Sequence, residues 1–466
     1  MLDLQPVYAY PHTITGITKL FPTDKSIGDK VMKYISEIQD VLNSPEQLES
    51  LYQLARQANE EPEFRSDLYN LYEKSSDSLL LSAWHSRFEH SPLPKVRRHT
   101  NWGLAVVLGV ITGLIMWAIS TPQWLVLDQI PYLVLLWAPI ATVLTLIFIA
   151  ISQNRPILNP VLAGVSLVLA SVYILLIIPG QRYEASRDYL TLMVIQLPLL
   201  CWIGLGIAVM GFGSSTGNRF AFLIKSIEVM ITAGVYLIFG VAFGMITIGM
   251  FSALNITPPD IIMRLIVAGG FGLLPILAVA TMYDPQVTPE GQDFNQGLSK
   301  FIFTMMRLLL PLTLLVLVIY IFVIPFNFMV PFQDRDVLII YNVMQFAIIG
   351  LLIGATPLRV DDLSPKLQTA LRRGIIAVAI LALLISLYAL SAVIYRTISY
   401  GITLNRTTII GWNFINIAIL GVLIYTQLKK GFSGWHERLQ AVFSKAATVY
   451  LVWSIILILT LPLIFR

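Results

Sequence analysis

From Trp102 to Phe465 the chain repeats one pattern: a long apolar run, a short polar break, then another apolar run. These runs lack the polar stripe of a surface helix, which would return every three to four residues. A hydrocarbon layer about 30 Å thick takes about 20 helical residues to cross, and a helix satisfies its own backbone polar groups there. The pattern therefore predicts about eleven spans, at 102–119, 130–152, 157–179, 189–210, 224–251, 261–282, 301–325, 337–354, 374–396, 407–427 and 447–465. Before Trp102 the pattern changes. Val31, Ile35, Ile38 and Leu42 step at three and four behind Asp24 or Ser26. Leu48, Leu51, Leu54 and Ala55 follow a restart at Asn43-Ser44-Pro45. Phe64, Leu68, Leu71 and Tyr72 follow Glu61-Pro62, and Leu79, Leu80, Ala83 and Trp84 follow Ser75 or Ser76. Caps before amphipathic runs predict four short helices. The expected fold is all-α: a polytopic transmembrane helix bundle over residues 99–466, preceded by a small soluble α-helical domain over residues 1–98.

Composition agrees. Of 466 residues, 56% are hydrophobic and only 12% charged, about half the charged share usual in soluble domains. Residues 1–98 hold 11 Lys and Arg against 14 Asp and Glu, so the basic excess belongs to the membrane part. That excess suits anionic lipid headgroups. Basic residues interleaved with aromatics are missing, so nucleic acid is not an expected partner. Membrane lipids are, together with a protein partner docking through residues 1–98. No cofactor is expected. The single cysteine, Cys201, lies in an apolar run and reads as a small core residue. His85, His90 and His99 are irregularly spaced and read as surface residues rather than metal ligands.

Charge also orients the spans. Lys95, Arg97 and Arg98 precede the first one. Alternate loops on that side hold Arg155, Arg219, Lys225, Lys300, Arg307, Arg359, Lys366, Arg372, Arg373, Lys429, Lys430, Arg438 and Lys445; the other loops and the tail hold Arg182, Arg187, Arg335, Arg396, Arg406 and Arg466. A bias of about two to one places the N-terminus in the cytoplasm and the C-terminus outside. No secretory signal is visible at Met1-Leu2-Asp3. Two loops on the basic side carry amphipathic patterns, Leu363 to Leu371 behind Ser364-Pro365 and Trp435 to Phe443, and are expected to lie as helices in the interface plane.

Ionisable residues inside spans are the first place to seek function. Lys225 and Glu228 lie one turn apart in the fifth span, with Lys225 expected to snorkel from a surface pair. Asp260 and Arg264 stand four apart in the sixth and are expected to pair. Arg307 is near a span end and is expected to snorkel too. Gly269-Gly270-Phe271-Gly272 with Pro275 either breaks the sixth span or lets it pack closely. Gly240 and Gly244 form a weak close-contact motif, and Pro198, Pro311 and Pro325 predict kinks. Soluble-type motifs fail: the Gly211–Gly217 run misses dinucleotide spacing, and His436-Glu437 lacks a second His. Asn255 and Asn405 match the glycosylation pattern by chance.

The most distinctive segment is Tyr395 to Arg406. Gly401 suits a helix end and Thr403 the next helix start, so a tight hairpin is expected. Arg396 falls near a helix C-terminus, where a cation is favoured. Arg406 falls in a first turn, where it needs a partner such as a headgroup, Asp334 or Asp336. This hairpin resembles the signature of bacterial polytopic membrane proteins grouped as a domain of unknown function, number forty-one fifty-three. There, an aromatic–Arg pair, Tyr-Gly-hydrophobic-Thr and Asn-Arg stand between two late spans; here Tyr395, Arg396, Tyr400, Gly401, Thr403, Asn405 and Arg406 fill the pattern. The similarity covers roughly the last third of the membrane part, with Leu404 where the family usually has Pro. The resemblance implies a bacterial inner-membrane protein and no particular reaction. The leading expectation is a non-enzymatic scaffold, sensor or envelope-regulating partner. A transporter or lipid-handling protein with a site near the sixth span comes second, and a membrane enzyme using Asp361 and Asp362 third.

Overall fold

The computed structural model describes residues 34–42, 44–57, 60–74, 78–90, 100–153, 155–178, 183–211, 213–294, 297–360 and 363–465. The chain divides into two compact units, Met1–Arg98 and His99–Arg466.

The first unit contains α1 (Ile35–Asp40), α2 (Pro45–Gln57), α3 (Glu61–Lys74) and α4 (Leu79–His90). Tyr52, Phe64, Trp84 and Phe88 meet ring to ring and, with Ile38, Leu48, Leu68 and Leu81, form its core. The expected start at Asp24 or Ser26, the Asn43 restart and the Ser75 or Ser76 cap fall outside the described residues. Ser78 caps α4, accepting the Leu81 N–H at 3.4 Å. Three core expectations are corrected. Leu54 is 62% exposed and Leu79 88% exposed, and Ala83 is exposed too. Helical side chains lean toward the N-terminus, so Leu79 in the first turn projects past the core; Leu81, Trp84 and Phe88 form the inward stripe instead. The hydrophobic pattern also hides a polar set. Tyr52 donates to the Glu61 carboxylate at 2.7 Å, and Arg65 pairs with the same oxygen at 2.8 Å. The Tyr34 N–H donates to Asp67 at 2.8 Å, and burial pushes the Asp67 carboxyl above the usual carboxylate range. His85 stacks against Tyr69 and Tyr72.

Among the described residues, the second unit contains eleven helices long and apolar enough to cross a membrane. They are α5 (Trp102–Ile119), α6 (Tyr132–Ser152), α7 (Leu158–Leu176), α8 (Tyr183–Met210), α9 (Thr216–Ala253), α10 (Asp260–Met282), α11 (Gly297–Val323), α13 (Arg335–Ala355), α14 (Pro365–Tyr400), α15 (Leu404–Lys429) and α16 (Trp435–Ile464). A short α12 (Val330–Gln333) and an antiparallel pair, β1 (Leu125–Val126) and β2 (Ile130–Pro131), sit in connections. This is an all-α, multi-pass membrane protein.

Hydrogen bonds between loops show that the chain alternates between two ends. At one end Glu290 N–H donates to Asn218, Ser444 to the Thr216 carbonyl, and Gln440 to the Pro357 and Leu358 carbonyls. At the other, Trp117 donates to the Ile261 carbonyl, Gln129 to Ser186, and Tyr388 to the Phe328 carbonyl.

The two interfacial helices are corrected. Residues 365–373 are the first turns of the 36-residue α14, and Trp435 to Lys445 opens the 30-residue α16. No breaker interrupts either ladder, and extending an existing helix is cheaper than starting one. Trp435, Leu439 and Phe443 bury their stripe in the protein core rather than in lipid. Helix ends follow local chemistry: Ser364 accepts the Leu367 N–H at 3.4 Å, and Pro325 ends α11 in a 3-10 turn, Ile324–Asn327.

The sixth span is continuous. Leu265–Gly269 widens to a π-helical turn between two α-helical stretches. Its glycines serve packing. A Cβ on Gly272 would lie 2.6 Å from the Gly113 Cα, and one on Gly113 would lie 2.5 Å from the Gly269 carbonyl oxygen. Backbone therefore meets backbone where α5 crosses α10. The Gly240 and Gly244 motif, by contrast, makes no close contact: nothing lies within 4 Å of a Cβ at 240, and only Ile266, at 4.0 Å, at 244.

Candidate functional site

A cavity of about 620 Å³ lies where the N-terminal turns of α9 and α11 and the α13–α14 connection meet α16. That is within the usual range for a ligand site. Lys300, Thr304 and Arg307 come from one face of α11, since spacings of four and three bring residues to the same side. Arg359 arrives from the α13–α14 connection. That connection is held by two devices: Thr356 is fully buried and bonds back to the Leu352 carbonyl at 2.7 Å, and Gln440 holds the Pro357 and Leu358 carbonyls at 2.9 and 3.1 Å. Phe294, Phe303, Leu358 and Leu363 supply the apolar wall.

One carboxylate, Glu290, also lines the cavity, but it is committed to a helix end. It sits over the first turn of α9, where Ser215 donates to it at 3.4 Å and a Cβ on Gly217 would come within 2.8 Å of its oxygen. A carboxylate is favoured there by the helix dipole and the free N–H groups. Glycine at 217 is what lets it approach. The side chains of Lys300, Arg307 and Arg359 make no hydrogen bond or ion pair with any described residue. Arg307 rests against the Phe303 ring at 5.9 Å, and its Nε is buried without a partner. The cavity thus presents three cations that are not ion-paired among the described residues, beside an apolar wall. Arg307 reaches this cavity instead of snorkelling to the bundle surface.

Behind the Phe294 wall lie Lys225 and Glu228. They are 2% and 1% exposed, which corrects the expectation of a surface pair with a snorkelling lysine. Lys225 Nζ donates to Glu228 Oε2 at 2.6 Å and to the Asp293 carbonyl at 3.1 Å. Ser299 donates to the same Glu228 oxygen at 2.8 Å, and Phe294 covers the ammonium at 4.3 Å. Asp293, Phe294 and Ser299 thus lie against the pair, and Lys225 is held among oxygen and ring contacts.

Asp260 and Arg264 do not pair. Arg264 turns toward α5 and donates to Thr121 at 2.9 Å, closing the far end of the α5–α10 crossing. Asp260 is exposed at the N-terminus of α10, where a carboxylate is favoured in any case. α10 is continuous and packs glycine on glycine against α5, so the expected break in the sixth span is absent. Asp361 and Asp362 lie outside the described residues.

At the opposite end the Tyr395–Arg406 hairpin is built as its caps dictate. Gly401 has φ +82°, which favours glycine, and Thr403 accepts the Arg406 N–H at 3.3 Å. Arg396 donates to the Gln333 carbonyl at 2.6 Å, closing α12. Arg406 is corrected: it donates to the Gly401 carbonyl at 2.5 Å, while Asp334 caps its own helix through the Asp336 N–H at 2.9 Å. A carbonyl five residues back is nearer than any carboxylate. Both guanidiniums flank the exposed Tyr400 ring, at 5.8 and 5.7 Å. Asn405 stands half-buried in the first turn of α15.

Sequence reasoning missed a ladder between α13 and α15. Asn413 donates to Asn342 at 2.7 Å, and Asn416 to Gln345 at 3.1 Å; Tyr450 of α16 donates to Asn416 at 2.6 Å. The signal was present: each span carries two amides three residues apart, which share a helix face. The cavity was missed because its cations look like ordinary flanking charges.

No family model matches the chain, and no curated protein or solved structure matches it either.

Proposed function

We propose that this multi-pass membrane protein binds a phosphate-class anion in the basic cavity and acts as a non-enzymatic scaffold, sensor or envelope-regulating partner in a bacterial inner membrane. The observation that carries the reading is the trio Lys300, Arg307 and Arg359, unpaired around one cavity of about 620 Å³. An anion bound there would meet three cations, with Glu290 as the one carboxylate among the described lining residues. Basic pockets between membrane helices on the cytoplasmic side are suited to anionic headgroups. In this reading the cavity end faces the cytoplasm, following the excess of Lys and Arg there, and residues 1–98 form a docking module on the same side.

The test is thermal unfolding of the full-length protein in neutral detergent against a panel of inorganic phosphate, glycerol phosphate and phosphatidylglycerol. Binding to the native state raises the midpoint as ligand concentration passes the dissociation constant. At least one of these should stabilise the wild type and leave the triple variant Lys300→Gln, Arg307→Gln, Arg359→Gln unmoved. If none shifts the wild type, or the triple variant responds equally, the reading fails.

A further inference from the structure

We infer that the anion is carried by a diacyl phospholipid, whose phosphate seats on Lys300 and Arg307 while its chains run along the bare faces of α9 and α11. This rests on the cavity being an anion site and adds the source of the anion.

Three observations favour a lipid over a soluble anion. The first is depth. Arg307 lies seven residues beyond Lys300 on one face of α11, about 10 Å along the axis at 1.5 Å per residue. The polar headgroup zone of a leaflet is only several ångströms thick, so the inner member of such a pair reaches toward the hydrocarbon layer when the outer one stands among headgroups. A soluble anion needs no cation that deep, whereas a lipid phosphate lies at that level.

The second is what adjoins the cations. About a quarter-turn round α11 from Lys300, Thr304 and Arg307 runs an apolar strip, Leu308, Leu312, Leu315 and Ile319, each more than half exposed. The cationic face therefore passes without a polar break into an apolar one on the same helix, as an amphiphile with a charged head and apolar tails requires.

The third is where protein cover is missing. In α9 and α11, only 6% and 11% of the most apolar window is buried in protein, against 28–50% in the other nine spans. Both helices contribute to the cavity, α11 through Lys300 and Arg307 and α9 through Gly217 at its covered end, ahead of the buried Phe220, Leu223 and Glu228. The bare stretch of α11 thus continues from the helix face that carries Lys300 and Arg307. Charge complementarity selects an anionic headgroup, and the apolar strip selects acyl chains.

The experiment uses the full-length protein in nanodiscs of phosphatidylcholine, titrated with phosphatidylglycerol or with inorganic phosphate, with bound lipid counted by native mass spectrometry. We expect phosphatidylglycerol to bind with clear preference over phosphatidylcholine and to resist displacement by inorganic phosphate. Arg307→Gln should weaken it about fivefold, as expected for one cation at an anionic surface, and the triple variant by roughly a hundredfold. Leu312→Asn, which leaves the cations in place, should weaken phosphatidylglycerol and leave inorganic phosphate unchanged. If Arg307→Gln does not fold, Lys300→Gln reports the same loss. Inorganic phosphate binding that depends on Arg307, with no preference for phosphatidylglycerol, overturns this inference and leaves the anion site intact. Absence of both kinds of binding overturns the anion site as well.

Discussion

Glu228→Gln is expected to destabilise the membrane unit by about 3–5 kcal/mol, because it strands a buried ammonium. Lys225 is 2% exposed and 2.6 Å from the Glu228 carboxylate, and it also meets the Asp293 carbonyl and the Phe294 ring. A neutral amide keeps the shape but not the charge. Lys225→Met should cost less than Glu228→Gln, since the carboxylate left behind still accepts from Ser299 at 2.8 Å. The double variant Lys225→Met, Glu228→Gln should recover part of the loss, because replacing a whole buried pair is far milder than breaking it. Unfolding of the full-length variants in mixed detergent micelles gives all three values. Equal losses in the single and double variants would mean the two residues do not act as a pair.

The second large effect is steric. Gly272→Val should cost about 3 kcal/mol or more, at the upper end of overpacking penalties, since the new Cβ meets backbone rather than a movable side chain. The Gly113 Cα and N lie 2.6 and 2.7 Å from where that Cβ would stand. The α5–α10 crossing must then open, and the hydrogen bonds from Trp117 to Ile261 and from Arg264 to Thr121 at its end should weaken with it. Gly240→Val is the control: no atom lies within 4 Å of its Cβ, so the change should stay within about 0.5 kcal/mol, as for substitutions that touch nothing. The same unfolding assay separates the two, and a Gly240 variant as damaged as the Gly272 variant would contradict the packing described.

Both effects bear on what could be read from the chain. All eleven spans were legible, because a membrane helix has a signature no local competition masks: too few charges over too many residues. Span ends were less legible. Arg372, Arg373 and Gly374 look like a boundary, yet α14 runs through them, since charge marks where lipid stops and not where a helix stops. Caps were readable at Ser364, Thr403 and Gly401, because each depends on one residue and its nearest neighbours. Arg406 was readable as a cation needing an acceptor, but the choice of the Gly401 carbonyl over Asp334 depends on the turn geometry. The cavity was not readable. Lys300 and Arg359 come together only because Thr356 and Gln440 fold the α13–α14 connection back onto α11. Likewise, the sequence marked Lys225 and Glu228 as neighbours on a helix, but only the fold shows that Asp293, Phe294 and Ser299 close over them.

The account stands on one arrangement: an odd number of crossings, with the basic cavity at one end of the bundle and the Tyr400 hairpin at the other. Thiol labelling of single-cysteine variants in sealed vesicles measures it directly, starting from Cys201→Ser and adding Arg359→Cys, Gly431→Cys or Ile402→Cys in the full chain. The prediction is that an impermeant maleimide reaches positions 359 and 431 only in inverted vesicles and position 402 only in right-side-out ones. Labelling of 359 and 402 from the same side would contradict it.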